Sequence, residues 1–315
     1  MITYKLISTF RYLVFSTDVP ATFSLMPGVD IITDRKKIKT ILNKEFSLVA
    51  GAIEHHHFIN AGHLIYCEGD ETHFKDNAKT ALIVWLSWID LALKDAWLIK
   101  DHAITCEMAY ARCVNKKTVS WSNNSLQTCP TFSAGHRLDN VTFDHQELIA
   151  WEAQTALVRG YLHEAKSDMF RTFVGKGYSR IGRALRFIDA ARNELQPPIK
   201  ISHYCSAFES LFSTDNAELS HKLSERVAIF LRQFSFDPIE VFNNMKSFYA
   251  IRSKVTHGDV IKDSEVEKIP ALSETCDEYL RRVFNFIFES KELLALFDGN
   301  KAEFDEYFKR ALLIK

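Results

Sequence analysis

The segment from Asp237 to Gly258 constrains the fold of this chain most, because both of its ends are written into it. Asp237 suits an N-cap, Pro238 the first helical position and Glu240 the third, the spacing of a capping box. Val241, Phe242, Met245, Phe248, Tyr249 and Val255 then recur at helical spacing and define one apolar face. Gly258 stands where a left-handed residue closes a helix. At about 100° per residue, Arg252 is expected in the middle of the apolar face, where a guanidinium needs a partner. Glu209 and Glu225 are the candidates to supply the carboxylate.

The same period runs through most of the chain after Asn140. Asp144 and Glu147 form a second capping-box signature, followed by Leu148, Trp151, Thr155, Val158, Leu162 and Ala165 on one face. A helix is expected from about Tyr178 to Leu195, stopped by Pro197-Pro198. Ile201, Tyr204, Cys205, Phe208, Leu211 and Phe212 line the next one, with Glu209 at the edge of that face. Leu219, Leu223, Val227, Phe230 and Phe234 mark the one after. Beyond Gly258, a long helix is expected from Pro270 to Phe297, then a short amphipathic tail. No internal repeat or low-complexity tract interrupts this pattern.

The first 140 residues read differently. Lys5 to Phe15 has strand character, and Pro20 and Pro27-Gly28 punctuate the stretch after it. Ile53 to Cys67 is expected to hold two short strands around Asn60-Ala61-Gly62, and Phe74 to Lys100 a long helix. Ile104 to Trp121 reads as a hairpin around Asn115-Lys116-Lys117. The polar stretch from Ser122 to Asn140, with Pro130 and Gly135, reads as a domain boundary. The expected architecture is an α+β region over 1–140 and an all-α bundle over 141–315.

Composition narrows the function classes. With 39 Lys+Arg against 40 Asp+Glu, the composition argues against a polyanion-binding surface spread over the whole protein and leaves room for a local basic cleft. Six cysteines without a C-x-x-C pair suit a reducing cytosol, and no signal peptide is discernible. Ala81 to Ile99 is the most hydrophobic window, but Asp90, Lys94 and Asp95 mark it as a buried helix rather than a membrane span. A cytoplasmic protein is expected.

Arg252, four residues, then His257, on a helix ending in glycine, resembles the R-x4-6-H motif of HEPN domains. That family of α-helical domains includes many metal-independent ribonucleases. The wording Tyr249-Ala250-Ile251-Arg252-Ser253-Lys254-Val255-Thr256-His257-Gly258 looks most like the ApeA-like branch. Arg180-Ile181-Gly182-Arg183-Ala184-Leu185, Ala207-Phe208-Glu209-Ser210-Leu211-Phe212 and Glu218-Leu219-Ser220-His221-Lys222-Leu223-Ser224-Glu225-Arg226 stand upstream in that branch's order. The resemblance covers roughly the C-terminal 140 residues. Ser253 departs from it mildly, since the family often has Asn, Asp or His directly after the Arg.

RNA carries its own nucleophile, the 2′-hydroxyl beside the scissile phosphate. A metal-free enzyme must help remove that proton, steady the charge gathering on phosphorus and protonate the leaving 5′-oxygen. Histidine can transfer protons near neutrality, and arginine can give phosphate two parallel hydrogen bonds. Residues five apart on a helix point about 140° away from each other, so Arg252 and His257 do not face one small ligand unless the helix end unwinds. The resemblance implies a homodimer in which two motifs meet across a two-fold axis. It implies a metal-independent endoribonuclease, a defence or toxin effector, with RNA as substrate. Arg252 and His257 would be catalytic, with Glu209, Ser253, Lys254 and Thr256 in support. No cofactor and no membrane association are expected. The N-terminal region would sense a phage-derived or protein trigger, or restrain activity. Two readings stay open beside this one: a non-catalytic HEPN module binding RNA, a nucleotide or a protein partner, and a regulatory subunit of a toxin pair.

Three weaker patterns remain. Glu54-His55-His56-His57 with His63 hints at metal, since His55 and His57 would share a face in a strand; a solvated or partly buried run is the expectation, with no metal. Gly175-Lys176-Gly177-Tyr178-Ser179 lacks the Walker spacing and reads as a turn. Cys205 and Cys276 fall on apolar faces and read as core.

Overall fold

The computed structural model describes residues 2–70, 77–125, 131–165, 178–214 and 219–314. Two compact units emerge, residues 1–131 with 139–155 and residues 132–138 with 156–315.

The first unit contains β1 (Ile2–Ser8), β2 (Leu13–Phe15), β3 (Thr22–Met26), β4 (Val29–Ile32), α1 (Arg35–Ile41), α2 (Lys44–Asn60), β5 (Leu64–Asp70), α3 (Ala78–Ala96), β6 (Ala109–Asn115), β7 (Thr118–Asn124) and β8 (Val141–Phe143). It ends within α4 (His145–Glu164). Six strands form an antiparallel sheet in the order β3-β4-β5-β1-β6-β7, and β2 pairs in parallel with β8. Alternation along the strands feeds two cores. Leu6, Ile31, Ile65, Cys67, Ala111 and Cys113 face the side covered by α3, through Trp85, Leu86 and Ile89. Ile7, Ile32, Leu64, Tyr66 and Tyr110 face the other, where Ile38 of α1 and Phe46 and Phe58 of α2 cover them. The expected hairpin turns at Lys116-Lys117, with Lys116 at φ 52 and Asn115 paired to Thr118.

Two expectations change here. Residues 53–60 are helical, not a strand. Asn43 caps the helix by accepting from the Phe46 N–H (3.1 Å), and Phe46 and Phe58 anchor it on the sheet. Gly51 (φ 78, ψ 169) kinks it midway, so no single helical stripe is visible in the sequence. The division between the units is also not a single point at residue 140: 132–138 group with the second unit and 139–155 with the first. Phe143 pairs with Phe15, and Phe143, Leu148 and Trp151 enter the first core, which draws 139–155 into the first unit. The capping box opening α4 is reciprocal: the Glu147 N–H donates to Asp144 (2.8 Å) and the Asp144 N–H to Glu147 (3.0 Å).

The second unit contains α5 (Arg180–Asn193), α6 (Pro197–Phe212), α7 (Leu219–Arg232), α8 (Pro238–His257), α9 (Asp263–Val266), α10 (Ile269–Glu289), α11 (Lys291–Asp298) and α12 (Lys301–Leu313). Helix α6 is central, touched by α5, α7, α8 and α10. Its whole predicted face is buried: Ile201, Tyr204, Cys205, Phe208, Leu211 and Phe212. Each such side chain contributes about 1.5–3 kcal/mol relative to exposure. Phe212 also meets Phe230, Phe297 and Phe308, which holds α7, α11 and α12 to it. The expected long helix to Phe297 is interrupted at Ser290, whose hydroxyl accepts from the Leu293 N–H (3.2 Å) and starts α11. Among the described residues, no helix is long and apolar enough to cross a membrane.

Candidate active site

Helix α8 forms as its sequence directs. Asp237 accepts from the Ile239 N–H (2.9 Å), one residue earlier than a capping box with Glu240 requires. At the other end, Gly258 adopts φ 71, ψ 25. Its N–H donates to Val255 (3.4 Å), and the Asp259 N–H donates to Lys254 (2.9 Å), the paired bonds of a Schellman motif. The helix therefore stays wound through His257.

Burial fades along its axis. Val241, Met245, Phe248 and Ile251 are buried, whereas beyond Ile251 no residue of α8 is. Arg252 has the expected direction but not the expected depth, since the helix has run past the densest part of the core. Its side chain keeps 30% of its exposure, and that of Glu209 keeps 21%.

Glu209, on α6, is the carboxylate that meets Arg252. The contact is single and long, 3.4 Å from Nη2 to Oε1. The same oxygen accepts the hydroxyl of Tyr249, over whose ring the guanidinium carbon lies at 5.3 Å. Burial first, and the bond to Glu209 second, push the Tyr249 hydroxyl above its ordinary range, so it stays a proton donor. Tyr249 thus steadies the carboxylate that steadies Arg252. Its spacing of three from Arg252, on one helix face, was the available signal for that role. A guanidinium has five N–H donors, and one ion contact leaves most of them for an anion.

The other predicted residues divide. Thr256 donates its hydroxyl to the Arg252 carbonyl (2.8 Å), which uses its proton within the helix. Lys254 pairs with Glu265 of α9, so its charge is locally offset; that bond holds the Glu265 carboxyl below its usual range. Ser253 and His257 are exposed. Among the described residues, His257 makes no hydrogen bond or ion pair. Being five positions apart on an unbroken helix, Arg252 and His257 diverge by about 140°. One copy of α8 presents both groups and does not converge them.

The weaker patterns resolve separately. His55, His56 and His57 lie on α2 and go to different partners: the Leu42 carbonyl (3.1 Å), Asn60 (2.7 Å) and Glu107 (3.8 Å). His63 is buried on its own, beside Thr9 and Phe10. Among the described residues, no group of three or more His, Cys, Asp or Glu is placed to hold a metal ion. Of the glycine-rich turn, 175–177 lie outside the described residues; Ser179 caps α5 by accepting from the Gly182 N–H (2.9 Å). Cys205 and Cys276 are core residues, and burial pushes the Cys276 thiol up. Compared with protein-family models, curated proteins and solved structures, the chain matches none.

Proposed function

We propose that the chain is a metal-independent endoribonuclease of the HEPN type, acting as a cytoplasmic homodimer in defence or as a toxin. The observation that supports this reading most is the end of α8, where a half-exposed, anchored Arg252 and an exposed His257 diverge on one capped helix. Such a pair is incomplete in one chain and becomes a site when a second copy is brought to it. Arg252 would bind the scissile phosphate and steady its developing charge. The imidazoles of His257 from the two chains would take the 2′-proton and return one to the 5′-oxygen. The N-terminal unit would carry the trigger-sensing or restraining role.

The Arg252–Glu209 ion pair favours a second reading, a non-catalytic module in which the arginine is a scaffold. Cleavage of single-stranded RNA by the wild type, Arg252→Ala and His257→Ala separates the two. The nuclease reading expects each variant to lose roughly a hundredfold or more of the rate while remaining folded and dimeric. Wild-type and His257→Ala chains that are equally inert, with or without infected-cell extract, would favour the scaffold.

A further inference from the structure

We infer that the N-terminal unit contains a binding site for a small planar organic anion, in a cleft of about 330 Å³ between the sheet and the corner joining α1 to α2. This inference does not rest on the reading of Arg252 and His257. The volume falls near the lower end of the range of small-molecule pockets, ~300–1,000 Å³. Apolar wall is supplied by Ile7, Ile41 and the rings of Tyr66 and Trp121.

The charges decide the sign of the occupant. Glu45 is consumed by a two-pronged bond from Arg112 (3.0 and 3.1 Å) and by the Trp121 indole N–H (2.9 Å). Glu68 is consumed by Lys5 (3.0 Å) and the Tyr66 hydroxyl. Lys37 remains, and its polar contact among the described residues is the Thr22 hydroxyl at 3.4 Å. Three cations thus face two carboxylates that are already engaged. A negative group on the occupant would complete Lys37, whereas a cation would find no free carboxylate.

The same network fixes Arg112 and Trp121 before any ligand arrives, and the guanidinium carbon lies 5.9 Å from the Trp121 ring. A preformed wall of this kind costs little to order on binding. Conjugated rings pack against aromatic side chains in offset or edge-on contact, which selects a flat body for the occupant. Nucleoside monophosphates and aromatic carboxylates share this chemistry.

Calorimetric titration of the full chain with AMP, GMP, CMP, UMP and indole-3-acetate tests the inference. At least one probe is expected to bind saturably, in wild type and in Arg252→Ala alike, which separates this cleft from the end of α8. Lys37→Glu should weaken it about tenfold or more, about 1.4 kcal/mol. Thr40→Trp, from an exposed position on the cleft wall, should abolish binding, and Lys36→Glu, a charge reversal on the same helix, should leave it unchanged. The probe's uncharged parent, and inorganic phosphate or acetate alone, should each bind at least about tenfold more weakly. Absence of saturable binding by all five probes overturns the inference. So does equal weakening by Lys36→Glu and Lys37→Glu, or an uncharged parent that binds as tightly as the anion.

Discussion

Glu209 holds Arg252 by a contact so long that charge matters more than geometry. In a half-exposed setting such a pair is worth no more than about 1 kcal/mol of stability. Glu209→Gln keeps the shape and removes the charge. It is expected to change thermal stability by less than about 1 kcal/mol while lowering RNA cleavage roughly tenfold or more, because the guanidinium is no longer centred. Cleavage that falls only in proportion to the folded fraction would make Glu209 a scaffold residue. His63 supplies a pH prediction in the other unit. Its Nε2 accepts from the Phe10 N–H (3.2 Å), so Nδ1 carries the proton and donates to the Ala61 carbonyl (3.1 Å). Burial pulls its pKa from 6.5 down to about 4. The unfolded chain therefore takes up this proton near pH 6.5 and the folded chain only near pH 4. Stability should fall as pH drops through that window, by roughly 3 kcal/mol in all, then level off for this group. Urea midpoints of wild type and His63→Gln across that window check it, with the variant losing that part of the slope.

Among the elements, α8 was the most legible because its cap, its period and its closing glycine are all local. The same holds for α4 and α6, where Asp144 and the run from Ile201 to Phe212 act as read, whereas the Ser179 cap that starts α5 was not read from the sequence. Three things escaped. The helix over 44–60 is split by Gly51 and anchored by two distant phenylalanines, which removes the stripe that periodicity detects. The break at Ser290 rests on one hydroxyl inside a run apolar enough to look continuous. The depth of Arg252 depends on where the core ends along the helix axis, whereas spacing gives only direction around it. Gly258 offers the sharpest test at this scale. Nothing lies within 4 Å of a Cβ built there, so Gly258→Ala costs only backbone strain, about 1 kcal/mol. Chemical denaturation should report that loss. If the helix end frays to relieve it, His257 moves and RNA cleavage should fall several-fold more than the stability change explains.

At the scale of the whole molecule, the sequence indicated α+β followed by helices, and the two units have those characters. The sheet order was not legible, because it pairs Thr3 with Asp70 and Ile2 with Asn115, and period-2 alternation says nothing about partners so far apart. A composite site of the kind proposed would make activity depend on assembly: specific activity should then fall on dilution in step with the dimer fraction seen by light scattering. The most direct measurement is the end chemistry of RNA cut by the full chain in EDTA. Attack by the 2′-hydroxyl predicts 2′,3′-cyclic phosphate and 5′-hydroxyl ends, formed without added metal and absent with Arg252→Ala or His257→Ala. Ends bearing 5′-phosphate, or cutting that both variants retain, would contradict the account.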